Sequence, residues 1–174
     1  MAGSKEVRGV LRRFSVAPDP QHKDCHVDVT IFKSATAMLR YARKTYPGNG
    51  KFRACLQPTD VKDPRWIQRE VIGEMLFHIG DCGAGLVAHE SHHVIMALNR
   101  LLAGVDHDSP NYCQEYDLKA NNEEWECCCT EILVGAISRE IQELHSAAAR
   151  LILEEHRRAV DVILDEHITN VLSY

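Results

Sequence analysis

Val87-Ala88-His89-Glu90-Ser91-His92-His93-Val94 is the stretch on which the reading of this chain turns. It contains His-Glu-x-x-His and opens a segment, Leu86 to Leu102, whose apolar residues recur at helical spacing. Residues four apart on a helix stand one above the other, so His89 and His93 point the same way. Two imidazoles in that relation can grip one zinc ion, and Glu90, about 100° round the helix, lies where a general base is needed. With His89 at the origin, His93 falls at about 40° and Glu90 at about 100°. Val87, Val94, Leu98, Leu101 and Val105 fall between about 120° and 180° and make one buried stripe. The ligand face borders the core, as a cleft site requires. His92, at about 300°, points to the outer side and fills a free position of the motif.

Further on stands an acidic run, Asn122-Glu123-Glu124-Trp125-Glu126-Cys127-Cys128-Cys129-Thr130-Glu131-Ile132-Leu133. With Glu124 at the origin, Cys128 lies at about 40° and Glu131 at about −20°. Trp125, Cys129, Ile132, Leu133 and Ala136 lie between about 80° and 180° and form the buried side. Glu124 and Glu131 therefore share a face along the border of the core. Glu123 and Glu126 read as solvated charges that the helix dipole favours. Three consecutive cysteines point about 100° apart and cannot close round one ion. They read as small buried residues, with Cys128 nearest the site.

His89-Glu90-x-x-His93 followed by this acidic helix resembles the zincin metallopeptidases. It is most similar to their gluzincin-like branch, which includes small zinc peptidases of phages and mobile elements. The resemblance covers Glu70 to Ile141 and departs from the family pattern at Cys127 to Cys129, where small or aromatic residues are usual. It implies Zn²⁺ held by His89, His93 and Glu124, with an open fourth position for water. Glu131 is the alternative ligand or a carboxylate that orients a histidine, and Cys128 a further alternative. The resemblance also implies that Glu90 takes a proton from water and returns it to the leaving amine of a cleaved peptide bond. Residues Val71 to Ile79 would then form a strand at the sheet edge above the metal, able to hold an extended peptide. The implied activity is that of an intracellular zinc endopeptidase of phage or bacterial type. The alternative is a non-catalytic zinc-binding or zincin-derived protein-interaction domain.

Composition sets the bounds. A chain of 174 residues suits a single domain with a proper core. A net charge of −5 disfavours nucleic acid as the main partner, and a protein or peptide substrate is what the resemblance implies. No apolar run is long enough for a membrane span, and Met1 to Arg8 lack the apolar core of a signal peptide. Seven cysteines, three of them consecutive, do not make a disulfide framework and point to the cytoplasm, the host's if the chain is phage-encoded.

The remaining elements follow in order. Val7 to Phe14 carries a strand or short-helix signal, and Pro18 to Asp24 a loop. His26 to Phe32 alternates as a strand. Ser34 caps a helix over Ala35 to Tyr46. Lys51 to Gln57 reads as a strand, Pro58 to Arg65 as a loop and Glu70 to Ile79 as a strand. Gly80 to Gly85 is a turn, with Asp81 as a cap. Val105 to Lys119 is a polar loop bordering the cleft, where His107 or Tyr112 is a candidate to stabilise an oxyanion. Ser138 to Leu172 is helical, either as two helices or as one continuing from Glu124, and its length suits packing over the core or pairing with another copy as a homo-oligomer.

The expectation is one α+β, zincin-like domain over 1–174. A mostly antiparallel sheet of three to four strands and one helix occupy 1–80. The metal-site helices occupy 84–145 and a C-terminal helix 146–172.

Overall fold

The structure, a computed structural model, describes residues 7–46, 53–59, 63–68, 70–103 and 123–172, without the side chains of 66, 67, 103, 123, 124 and 161–172. It is α+β. Strands β1 (Val10–Val16), β2 (His26–Phe32), β3 (Cys55–Pro58) and β4 (Val71–His78) form one sheet in the order β1-β2-β4-β3. The helices are α1 (Ala35–Thr45), the single turn α2 (Pro64–Ile67), α3 (Ala84–Ala103) and α4 (Glu123–Leu172). Two compact units divide the chain at Arg139 and Glu140, the second consisting of the later turns of α4.

The sheet is mixed. β1 pairs with β2 and β3 with β4 antiparallel, whereas β2 and β4 run parallel. A parallel pair needs a crossover rather than a tight turn, and α1 lies within it. Ser34 caps α1 as expected, its Oγ accepting from the Ala37 N–H at 3.3 Å. Met38 and Ala42 of α1 pack with Phe32 and Leu76 in one core cluster. The other face of the sheet is given to α3. Leu56 of β3 pairs with Met75 of β4 and shares a cavity wall with α3 residues.

Helices on both faces explain why β4 is buried at nearly every position, from Val71 to Phe77, with only Glu74 partly exposed. They also correct two expectations. β4 is not an edge strand: it lies between β2 and β3, and the short β3 is the edge on that side. The segment after Pro58 is not all loop, because Pro64–Ile67 makes a helical turn.

Gly73 stands opposite Pro58 where β3 runs close against β4. A Cβ there would lie 2.5 Å from the Gln57 carbonyl oxygen and 3.0 Å from the Pro58 Cα. Both neighbours are backbone, so relief requires β3 to move. Gly73→Ala should therefore destabilise the fold by about 1–3 kcal/mol, read as a lower urea midpoint with an unchanged slope.

The α3 stripe is buried as its periodicity predicts, Val87, Val94, Leu98 and Leu101 all being at most 4% exposed. Val105 lies outside the described residues. Ser91 sits on that inner side, wholly buried, and its Oγ has no hydrogen-bond partner among the described residues. Ser91→Ala removes an unsatisfied buried hydroxyl and should stabilise the protein by about 1 kcal/mol, measured in the same urea experiment. No helix of the described residues is long and apolar enough to cross a membrane.

Candidate metal centre and its groove

Helix α3 is started by Gly83, whose carbonyl accepts from the Leu86 and Val87 N–H groups at 3.0 and 3.1 Å. Asp81 is not a cap. It takes a bidentate pair from Arg53, Nε at 2.5 Å and Nη2 at 2.6 Å, which fastens the residues leading into β3 to the turn before α3. This clip and the β3–β4 ladder set the edge strand alongside the motif helix.

His89 and His93 are both exposed, one turn apart. Their Nε2 atoms lie 3.3 Å from each other, and the rings meet edge to face with centroids 4.9 Å apart. Glu90 is 5% exposed. Its carboxylate makes no hydrogen bond or ion pair with the described residues. With His93 it lines a groove of about 460 Å³ between α3 and β3, walled by Ala54, Leu56, Met96, Ala97 and Arg100. His92 is exposed on the outer side.

The histidine pair fits zinc. Two nitrogens each about 2.0–2.1 Å from a tetrahedral ion stand about 3.3 Å apart, which is the separation already present between Nε2 of His89 and His93. Imidazole is also a ligand type that zinc favours. Among the described residues no third His, Cys, Asp or Glu converges with them. The Glu124 backbone is in the first turn of α4, but its side chain is outside the described residues, as are His107 and Tyr112. Glu131 and Cys128 are exposed on α4.

Two expectations about α4 need correction. Glu126 is not merely a solvated charge: its Oε1 accepts from Asn99 Nδ2 of α3 at 2.8 Å, joining the two helices. Nor are the three cysteines buried together. Cys129 is wholly buried, while Cys127 and Cys128 are exposed. Burial pushes the Cys129 thiol up to about 12, with Asp19 nearby adding to the effect. On β3, burial against the α1 core outweighs a hydrogen bond with Gln57 and, together with the Glu90 and Glu74 carboxylates, pushes the Cys55 thiol up to about 11. Neither is a ready thiolate ligand at neutral pH.

Asp19, also buried, anchors the start of α4 from the β1–β2 connection. Burial raises its pKa, but hydrogen bonds with His22 at 2.6 Å, the Gln21 N–H at 2.9 Å and Trp125 prevail and hold it below the usual carboxylate value.

The β3 wall and Arg100 belong to the site without having been read from the sequence. For Arg100 a signal existed: His93, Met96, Ala97 and Arg100 stand at i, i+3, i+4 and i+7, one helical face. For β3 there was none, since a four-residue edge strand carries too little pattern to place it. No protein-family model, no curated protein and no solved structure matches this chain.

Proposed function

We propose that this protein is a zinc-dependent peptidase that cleaves peptide bonds inside the cell. The observation that carries the reading is the 3.3 Å separation of the His89 and His93 Nε2 atoms beside a buried carboxylate that opens into a groove. His89 and His93 would hold the metal, with Glu124 completing the set as the resemblance to zincins implies. Zinc, when bound, supplies a Lewis acid for the scissile carbonyl and lowers the pKa of water.

The remaining work belongs to the chain. Glu90 has no competing donor among the described residues, so its oxygens are available to take a proton at the mouth of the groove and deliver it to the leaving amine. β3, an edge strand, offers its main chain to an extended peptide by β-augmentation. The groove's apolar wall of Leu56 and Met96 suits an uncharged substrate side chain. Association of copies through α4 forms part of the same proposal, since Leu151, Ile152 and Leu153 are each more than 60% exposed.

The test is metal content of untagged protein together with cleavage of a degenerate peptide library. About one zinc per chain is expected, with cleavage lost on chelation and restored by zinc. Zinc without cleavage would assign the chain to the non-catalytic zinc-binding class, and absence of zinc binding would overturn the reading.

A further inference from the structure

On the sheet face away from the histidines, Asp28 of β2 and Glu74 of β4 stand directly opposite one another in register. Like charges in that relation oppose folding, and such a conflict persists where function uses it. Both carboxylates line a cavity of about 670 Å³, with Tyr41, Tyr46, Arg13 and Arg65 among its other walls.

Glu74 is held by three hydroxyls. Oε1 accepts from Thr30 at 2.7 Å and Tyr41 at 3.2 Å, and Oε2 from Tyr41 at 3.0 Å and Tyr46 at 2.7 Å. Burial and the adjoining carboxylate hold both tyrosine hydroxyls above their usual pKa, so they keep the protons they donate. What the Tyr46 hydroxyl can still offer is an oxygen lone pair, whereas the Tyr41 oxygen is also hydrogen-bonded with Thr45. Asp28 Oδ1 accepts from Ser15 at 2.6 Å and lies 3.6 Å from His26 Nε2, while Oδ2 accepts no hydrogen bond from the described residues.

The arginines offset this charge only in part, Arg65 acting on Asp28 as well as on Asp63. Arg65 is tied to Asp63 at 3.1 and 2.9 Å, and Arg13 lies over the Tyr41 ring, 5.3 Å from its centroid. Arg13 and Arg65 against Asp28, Asp63 and Glu74 leave one negative charge uncompensated in the lining.

We propose that this cavity binds a primary ammonium group on an alkyl stem. The open acceptors are separate oxygens, Asp28 Oδ2 and the Tyr46 hydroxyl. They match the diverging donors of an ammonium, whereas a guanidinium fork wants two free oxygens side by side. The Tyr46 ring, which lines the cavity, offers an apolar wall to the stem, the Tyr41 ring already lying under Arg13. The volume is that of a small-molecule site, roughly 300–1,000 Å³. Such a group comes as a free amine or as the side chain of a lysine.

The experiment titrates the full chain with n-butylamine, with Nα-acetyl-lysine methylamide and with n-butanol, following the backbone amides of Thr30, Tyr41 and Glu74 by NMR. Saturable shifts are expected with both amines and none with butanol. Tighter binding of the lysyl compound assigns the site to lysine side chains of a polypeptide, and tighter binding of butylamine to a free amine. Asp28→Asn keeps an oxygen for Ser15 and removes the like-charge conflict. It should melt no lower than the native protein yet bind amine about ten-fold more weakly. Absence of saturation with either amine, or unchanged affinity in folded Asp28→Asn, would overturn the proposal.

Discussion

Glu90→Gln should leave zinc bound and lower peptide cleavage by about 10²- to 10⁴-fold, the usual contribution of a positioned general base. That is roughly 3–5.5 kcal/mol of transition-state stabilisation. The substitution keeps the shape of the side chain and removes its ability to take a proton. Glu90 is 5% exposed and finds no donor among the described residues, so the amide gives up no hydrogen bond to them. The variant should accordingly melt at or above the native midpoint. Loss of rate without loss of stability is the signature of a group kept for chemistry rather than for the fold. A variant that still cleaves at the native rate would place the base elsewhere and leave the groove without a catalyst.

Zinc should stabilise the native protein by about 2.7 kcal/mol at a hundred times its dissociation constant. For a chain of this size that is roughly 5–10 °C in the unfolding midpoint. His93→Ala should abolish this increment while leaving the metal-free midpoint almost unmoved, since the exposed ring contributes little packing. His92→Ala is the internal control. It lies in the same motif, equally exposed and pointing elsewhere, and should retain the whole increment. If His92→Ala and His93→Ala behave alike, the metal is bound by a histidine-rich surface rather than by a built site.

The sequence carried the α3 reading because both of its signals are local. The four-residue spacing aligns His89 with His93, and the 3.6-residue period separates Val87, Val94 and Leu98 from them. Ser34 as a cap was legible for the same reason. What failed depended on partners distant in the chain. The position of β4 inside the sheet was encoded in its near-continuous apolar run, Val71-Ile72-Gly73 and Met75-Leu76-Phe77. That pattern marks a strand covered on both faces, and the family resemblance overrode it. Glu126 was assigned to solvent because a helical wheel gives an angle and says nothing of what stands opposite. Asn99 stands there, 27 residues earlier. The Glu74 network was invisible for a like reason, its donors coming from β2 and from two places along α1 and its end.

The parallel pairing of β2 with β4 also governs how the chain reaches this structure. Thr30 and Glu74, hydrogen-bonded across it, are 44 positions apart, so closing that pair costs loop entropy before any contact rewards it. During synthesis β2 is complete long before β4 emerges, and until then its inner edge is an unpaired row of amide groups flanked by Val27, Val29 and Ile31. Such an edge is a template for wrong partners. Refolding yield should therefore fall with protein concentration more steeply than the native stability alone would indicate, and slow dilution from denaturant is the route by which this protein is best recovered.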